Sequence, residues 1–271
     1  GHPELGQTLS REDGRFDLAV NGGGPLTVAY AKSGFLEAQR QVEAPWQQFT
    51  AVPEVTLLPL DATVTEIALP AATAQVARGS TVSDGDGART ATLVFPAGVQ
   101  ATMTLPGGLQ QPLSVLHVRA TEMTVGEGGP QSMFVELPPT SGYTYAVDFT
   151  VDEAQSAGAT SVDFDQAVPF YVENFVGMPV GLAVPVGFYD RRLGAWVPSD
   201  DGRVLAILGV AAGRAQLDVD GSGTPATAVQ LGELGVTDEE LVTLASLFPT
   251  GQSLWRARIS HFTPYDLNYG I

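Results

Sequence analysis

The first sixty residues alternate apolar and polar positions, as half-buried β-strands do. The runs RFDLAV (15–20) and PLTVAY (25–30) each place an apolar side chain at every second position. EDG precedes the first run, and NGGG separates it from the second. Both are turn sequences, and EVTLLPL closes the stretch at residue 60. The pattern predicts a small antiparallel unit over residues 1–60.

Short strand-like runs continue from residue 61 to residue 210. They are TATLVF, ATMTL, SVLHVRAT, YTYAVDFTV, VPFYVEN and GRVLAIL. Segments rich in Gly and Pro separate them, among them LPGGLQQP, GEGGPQS and PPTSG. We interpret the acidic turns DGDG (84–87) and SDDG (199–202) as plain hairpins. This spacing favours one or two antiparallel β-sandwiches packed together.

The periodicity changes in an insertion at about residues 213–250. Thr237 and Glu240 have the spacing of a capping box, and an apolar stripe with helical spacing follows them. The stripe consists of Leu241, Leu244, Ala245 and Phe248. A strand, SLWRARISHF, comes next. We therefore predict a mainly β chain with one short helical insertion, divided into residues 1–60 and 61–271.

Composition excludes several classes of function. The net charge of −17 argues against a nucleic-acid partner, because no cluster of Lys and Arg is present to neutralise phosphates. No apolar run has membrane-spanning length, and no signal peptide is recognisable, so we expect a fragment of a longer chain. With no cysteine and three histidines, thiol chemistry and a transition-metal site are not expected.

The first unit resembles the carboxypeptidase-regulatory-like, or transthyretin-like, β-sandwich. The resemblance lies in TLSREDGRFDLAV, in SGFLEAQRQVE and in the closing VTLLPL. This scaffold is mostly non-catalytic, so the resemblance implies a spacer or docking role. The first strand of the scaffold is missing from the sequence.

The remaining chain is similar to the region upstream of the repeats in bacterial Rhs/YD-repeat proteins. The similarity lies in GYTYAVDFTVDEA, in the run from VPFYVENF to SDDGRV, and in LDVDGSG followed by GQSLWRARISHFTPYDLN. It implies a secreted or surface-delivered bacterial protein with a β-cocoon repeat shell. The partner expected from it is the rest of the same polypeptide.

A second resemblance concerns His261, Phe262 and Thr263. Eukaryotic ZU5–UPA and FIIND modules cut themselves at His-Phe-Ser, and ARGSTVSDGDGARTATLVFPAGV is similar to the opening of a ZU5 sandwich. The resemblance implies cleavage between Phe262 and Thr263 by an N-to-O acyl shift. The fragments would stay associated through the C-terminal strand. Threonine replaces the usual serine, which is the less hindered nucleophile.

Such a cleavage needs a base that accepts the threonine hydroxyl proton. His261 shares a strand face with Thr263 and is one candidate. The other is His117, with Glu122 as the carboxylate that orients it, as the FIIND resemblance suggests. On a regular strand, residues five apart face opposite sides, so this pair requires a bulge or a turn. An isolated histidine on a strand is more often a packed structural residue than a base.

The loop DVDGSG has the spacing of the first half of a calcium loop. The candidate ligands are Asp218, Asp220, Ser222 and the backbone carbonyl of Thr224. Val229 stands at position 12, where a bidentate Glu belongs, so Glu233 or Asp238 would have to complete the site. An Asp/Gly turn without metal is the alternative interpretation.

Three hypotheses follow from the sequence. The first is an autoproteolytic module that cuts itself once and does not turn over substrate. The second is a non-catalytic module that plugs or docks onto the repeat shell. The third is a calcium-stabilised adhesion module.

Overall fold

The computed structural model describes residues 6–21, 23–125, 133 and 144–269. The chain is mainly β, as predicted. Its strands are β1 Gly24–Tyr30, β2 Ala38–Ala44, β3 Thr65–Ala68, β4 Gln75–Arg78, β5 Val82–Asp84, β6 Gly87–Arg89, β7 Thr92–Phe95, β8 Ala101–Thr104, β9 Gln110–Leu113, β10 Val115–Glu122, β11 Tyr145–Val151, β12 Ser161–Glu173, β13 Ala183–Val184, β14 Val186–Asp190, β15 Ala195–Pro198, β16 Gly202–Ala211, β17 Arg214–Asp218, β18 Ser253–Phe262 and β19 Pro264–Leu267. The helices are α1 Asp152–Ser156, α2 Ala228–Glu233 and α3 Asp238–Leu247.

The N-terminal unit is built on an antiparallel pair, β1 and β2, in continuous register. β1 shows the predicted alternation, because every second side chain is half-buried. The predicted strand at residues 15–20 does not form, although its apolar side chains alternate in burial. Phe16 packs edge-on against Tyr30, with 5.7 Å between ring centroids, so packing holds this run without a ladder. The closing run contributes one isolated bridge, Phe35 to Pro59.

Two large antiparallel sheets form a sandwich. The six-stranded sheet has the order β15-β14-β19-β11-β10-β3. The nine-stranded sheet follows β13-β16-β18-β12-β7-β4, with β17, β8 and β9 joined to it. Alternate side chains of both sheets meet in one apolar core that includes Leu116, Phe149, Phe170 and Trp255. The two facing sheets therefore form one sandwich.

The outer faces of both sheets are covered. Helix α3 packs on the nine-stranded sheet through Leu241, Leu244 and Phe248 of the predicted stripe. The N-terminal unit packs on the six-stranded sheet through Leu36, Leu58 and Leu60, which cluster with sheet residues. The layer order is therefore N-terminal unit, six-stranded sheet, nine-stranded sheet and helices α2 and α3, whereas α1 packs on β10 and β11 of the six-stranded sheet.

Several local predictions can be compared with this architecture. Thr237 caps α3 with the expected box, which confirms the helix. Residues 84–87 form the turn of the β5–β6 hairpin, as predicted. Residues 199–202 instead connect β15 to β16, which belong to different sheets, so the hairpin predicted there is wrong. Among the described residues, no helix combines the length and apolar character that a membrane crossing needs.

Candidate functional site

The His-Phe-Thr triplet lies where the chain crosses from one sheet to the other. Phe262 ends β18 in the nine-stranded sheet, and Pro264 begins β19 in the six-stranded sheet. Thr263 is the single residue between them. Proline has no N–H to donate and restricts the residue before it, so the sequence favours a change of direction here.

Phe262 anchors this corner in the core. Its ring contacts Phe95, Phe149 and Phe164, with centroid separations of 6.3, 5.8 and 4.9 Å. Edge-on and tilted aromatic contacts of this kind add to the stabilisation from buried area. The peptide bond between Phe262 and Thr263 is therefore held by well-packed neighbours.

Thr263 is 8% exposed, and its hydroxyl forms a hydrogen bond inside the protein. Thr263 Oγ1 donates to the backbone carbonyl of Tyr189 on β14 at 2.6 Å. The Thr263 carbonyl accepts from the Phe149 amide at 3.5 Å. Among the described residues, no side-chain base accepts the Thr263 hydroxyl proton. The hydroxyl instead ties the corner to a neighbouring strand.

His261 lies beside the corner, but its ring faces other partners. Its Nδ1 is 3.3 Å from Ser260 Oγ, and the ring stands edge-on to Phe188 with 4.7 Å between centroids. The Tyr265 hydroxyl donates to the His261 carbonyl at 2.9 Å. Burial lowers the pKa of His261, which favours a neutral ring that can accept a proton.

The predicted pairing of His117 with Glu122 is wrong. His117 Nδ1 lies 2.5 Å from Glu153 Oε1, and Glu122 accepts from Arg89 Nε at 2.7 Å. β10 runs through both residues without a bulge, so their side chains face opposite sides. The hydrogen bond with Glu153 raises the pKa of His117.

His117 also lies far from Thr263. The Thr263 carbonyl faces Phe149 on β11, which pairs with Ala120 on β10. His117 is three residues further along β10. His117 is separated from Thr263 by two strand spacings across the sheet and by three residues along the strand, which is roughly 10 Å in each of these two directions. In this arrangement His117 clamps helix α1 onto β10 and does not reach the threonine.

The DVDGSG loop closes on itself through hydrogen bonds. Asp218 Oδ1 accepts from the Gly221 amide at 2.8 Å, and its Oδ2 accepts from the Gly223 amide at 2.8 Å. Asp220 accepts from the Ser222 amide at 3.0 Å and from Gln230 Nε2 at 2.8 Å. These bonds are typical of stacked Asx turns.

The Ser222 hydroxyl and the Asp238 carboxylate, two further candidate ligands, are also engaged. Ser222 Oγ and Thr224 Oγ1 are 2.8 Å apart, and Asp238 pairs with Arg214 at 3.0 Å. Within the described part of the chain, no group of three or more His, Cys, Asp or Glu side chains is arranged to hold a metal. Calcium binding at this loop stays a prediction from the spacing.

Sequence reasoning missed an ion pair that has a buried carboxylate. Asp148 on β11 is fully buried, and Arg191, just after β14, donates to its Oδ2 at 2.8 Å. Burial raises the pKa of Asp148 to about 6, against the attraction of Arg191. An acidic residue inside the apolar run YTYAVDFTV was the signal for it.

Comparison with known proteins assigns the N-terminal unit. Residues 1–57 match the teneurin TTR-like domain. The chain is 41% identical over 56 residues to Teneurin-1 of Homo sapiens, covering 21% of the chain and 2% of that protein. It is 42% identical over 48 residues to Teneurin-3 of Danio rerio, covering 18% and 2%. It is 40% identical over 52 residues to Teneurin-m of Drosophila melanogaster, covering 19% and 2%.

These matches confirm the transthyretin-like prediction and make it more specific, since the unit is shared with teneurins. The family match ends at residue 57, and the sandwich that follows is unassigned. The matched part of the chain spans about 2% of the length of these relatives. No solved structure matches the chain.

Proposed function

We propose that the chain is a non-catalytic structural module of a large secreted or cell-surface protein of the YD-repeat type. The observation that supports this most is the engagement of Thr263, whose hydroxyl donates to the Tyr189 carbonyl at 2.6 Å. A hydroxyl used in this way fastens β19 between its neighbours. The triplet then acts as a packed corner of the sandwich.

The module would join its TTR-like unit to the rest of its own polypeptide. The N-terminal unit packs on the six-stranded sheet, and the two parts would dock together onto a repeat shell. The shell and a bacterial, secreted setting rest on the resemblance to Rhs/YD-repeat proteins. The teneurins that match residues 1–57 come from animals, whereas Rhs proteins are bacterial. The proposal therefore makes no claim about the organism from which the chain comes.

Autoproteolysis between Phe262 and Thr263 is the second candidate, and the position of Thr263 at the crossing between sheets favours it. Thr263 Oγ would attack the Phe262 carbonyl carbon while a base, with His261 nearest in sequence, takes the hydroxyl proton. The C–N bond breaks, the Thr263 nitrogen gains the proton, and an ester forms. Water then hydrolyses the ester to a Phe262 carboxylate and a free Thr263.

The smaller fragment would stay bound after such a cleavage. β19 lies between β11 and β14 and pairs with both of them. Its buried side chains include Tyr265 and Leu267. Backbone hydrogen bonds on both edges would retain the fragment until the protein is denatured.

Intact mass after denaturation separates the two candidates. The structural module should give one uncut mass near 28.4 kDa for the 271-residue chain, and Thr263→Ala should likewise give one uncut mass. This substitution should also lower the free energy of unfolding by roughly 1–3 kcal/mol, because the Tyr189 carbonyl loses a buried donor. Thr263→Ser should retain most of the stability.

A pair of fragments meeting at Phe262 and Thr263 would overturn the structural proposal in favour of self-cleavage. In that case Thr263→Ala should give one uncut mass, and Thr263→Ser should cut at least as fast as the wild type. Ser156→Ala is the control, since Ser156 is an exposed serine at the end of α1, outside the triplet.

A further inference from the structure

The loop that follows β2 exposes two aromatic side chains. Trp46 is 65% exposed and Phe49 is fully exposed. The other two tryptophans differ, because Trp255 is fully buried and Trp196 packs edge-on against Tyr189 with 5.5 Å between centroids. The rings of Trp46 and Phe49 are therefore largely open to solvent. Two large aromatic side chains exposed in one loop are typical of protein interaction sites.

Hydrogen bonds hold the loop in its shape. The Gln48 amide donates to the Pro45 carbonyl at 3.4 Å, and Thr50 Oγ1 donates to the Glu43 carbonyl at 2.8 Å, which closes the base of the loop. Gln47 has φ of 56°, a left-handed conformation that costs free energy for a residue other than glycine. A closed, locally strained turn that holds two aromatic rings outward loses little entropy on binding.

The charge of the sequence on either side of the loop favours one kind of partner. No Lys, Arg or His occurs from residue 41 to residue 77, whereas Glu43, Glu54, Asp61 and Glu66 do. Anionic membranes and nucleic acids are disfavoured by this acidic stretch. A second copy would bring two chains of net charge −17 together. A partner with a basic rim around an apolar pocket is complementary to the loop.

We propose that the loop at residues 45–50 docks into an apolar, basic-rimmed pocket on another domain of the same polypeptide. This inference rests on the proposed structural role of the chain. The loop belongs to the segment that matches the teneurin TTR-like domain, which in those relatives is a small part of a far longer chain. Trp46 and Phe49 would be the anchors of the interface, and Glu43 and Glu54 would meet its basic rim.

Photo-crosslinking in the full-length protein tests the inference. Phe49 is replaced by benzoylphenylalanine, and the crosslinked peptides are identified by mass spectrometry. The matched control places the same group at Leu109, an exposed leucine before β9, which is joined to the nine-stranded sheet and does not belong to the N-terminal unit. We expect the group at position 49 to crosslink in high yield to peptides outside residues 1–271 of the same molecule. Trp46→Ser should reduce that yield several-fold.

Other outcomes overturn the docking proposal. They are a yield at position 49 no higher than at position 109, crosslinks between isotopically light and heavy molecules, and crosslinks to phosphatidylcholine vesicles alone. Intact mass of the 271-residue chain reports on self-cleavage independently. Failure of the docking inference is therefore distinguishable from failure of the structural proposal.

Discussion

One buried ion pair fixes helix α3 on the nine-stranded sheet. Arg256 Nε on β18 donates to Glu240 Oε1 at 2.7 Å, and both side chains are almost completely buried. The Tyr171 hydroxyl also donates to Glu240. Arg256 donates in addition to the Leu234 carbonyl at 2.8 Å, next to the end of α2. Four side-chain and backbone groups therefore satisfy one another in a largely buried region.

Glu240→Ala should lower the free energy of unfolding by about 3–5 kcal/mol, because Arg256 is left buried without its carboxylate. The control is Asp238→Ala on the same helix. Asp238 pairs with Arg214 at the surface, where an ion pair contributes no more than about 1 kcal/mol. Urea unfolding of both variants measures the difference. Equal losses would show that Arg256 finds another partner.

Which residues pair with one another was the hardest feature to predict. The sequence suggested Glu122 as the partner of His117, but the partner in the structure is Glu153, which α1 places beside β10. Nothing local to His117 indicates Glu153, because the contact depends on β11 lying next to β10. The change of direction at Thr263, in contrast, has a local cause in the proline after it, although the transfer to the other sheet does not.

Elements were predicted well where a local signal exists. Runs that alternate apolar and polar residues predicted most strands of the sandwich. The capping box of Thr237 and Glu240 predicted the start of α3. The prediction missed α2, although Thr227 and Gln230 form the same capping box. Residues 15–20 alternate as a strand does, but they pair with no other strand among the described residues. Pairing requires a neighbouring strand, and the alternation of a run does not predict one.

Thr237 should contribute about 1 kcal/mol to stability as the N-cap of α3. Its side chain accepts from the Glu240 amide at 3.1 Å, so Thr237→Ala removes the partner of an otherwise unsatisfied donor. Thr237→Ser should retain the bond. Thr243→Ala in the interior of the same helix is the control, and we expect it to be neutral or slightly stabilising. Urea unfolding distinguishes these outcomes, and an equal loss at both positions would contradict the capping role.

The order of the layers in the whole molecule could not be predicted from the sequence. Strands β18 and β19 are separated by one residue yet belong to different sheets, and β14 lies beside β19, more than seventy residues away in sequence. Sheet membership depends on such long-range pairing. The docking of the N-terminal unit against the sandwich depends on it too, and so does the burial of Asp148, whose partner Arg191 is half-buried.

This burial should make stability depend on pH. The pKa of folded Asp148 is raised to about 6 from its ordinary 3.8, because burial disfavours the ionised form. The folded chain therefore binds this proton more tightly than the unfolded chain does. The resulting contribution to stability is fully present below about pH 4 and is lost as pH rises through about 6. Asp266, with a pKa of about 6 for the same reason, acts in the same direction.

Asp148→Asn isolates the contribution of Asp148, since the amide does not titrate and its oxygen can still accept from Arg191. Between about pH 5 and pH 7.5, the wild type should lose roughly 1.4 kcal/mol more unfolding free energy than Asp148→Asn, as one pKa unit corresponds to that amount. Urea unfolding of both proteins at the two pH values measures it. His117, His261 and Asp266 titrate in both proteins, so their contributions cancel in the comparison. Asp266→Asn provides a second, independent measurement on β19. Parallel losses in the wild type and Asp148→Asn would show that Asp148 stays ionised when folded, with Arg191 compensating fully for its burial.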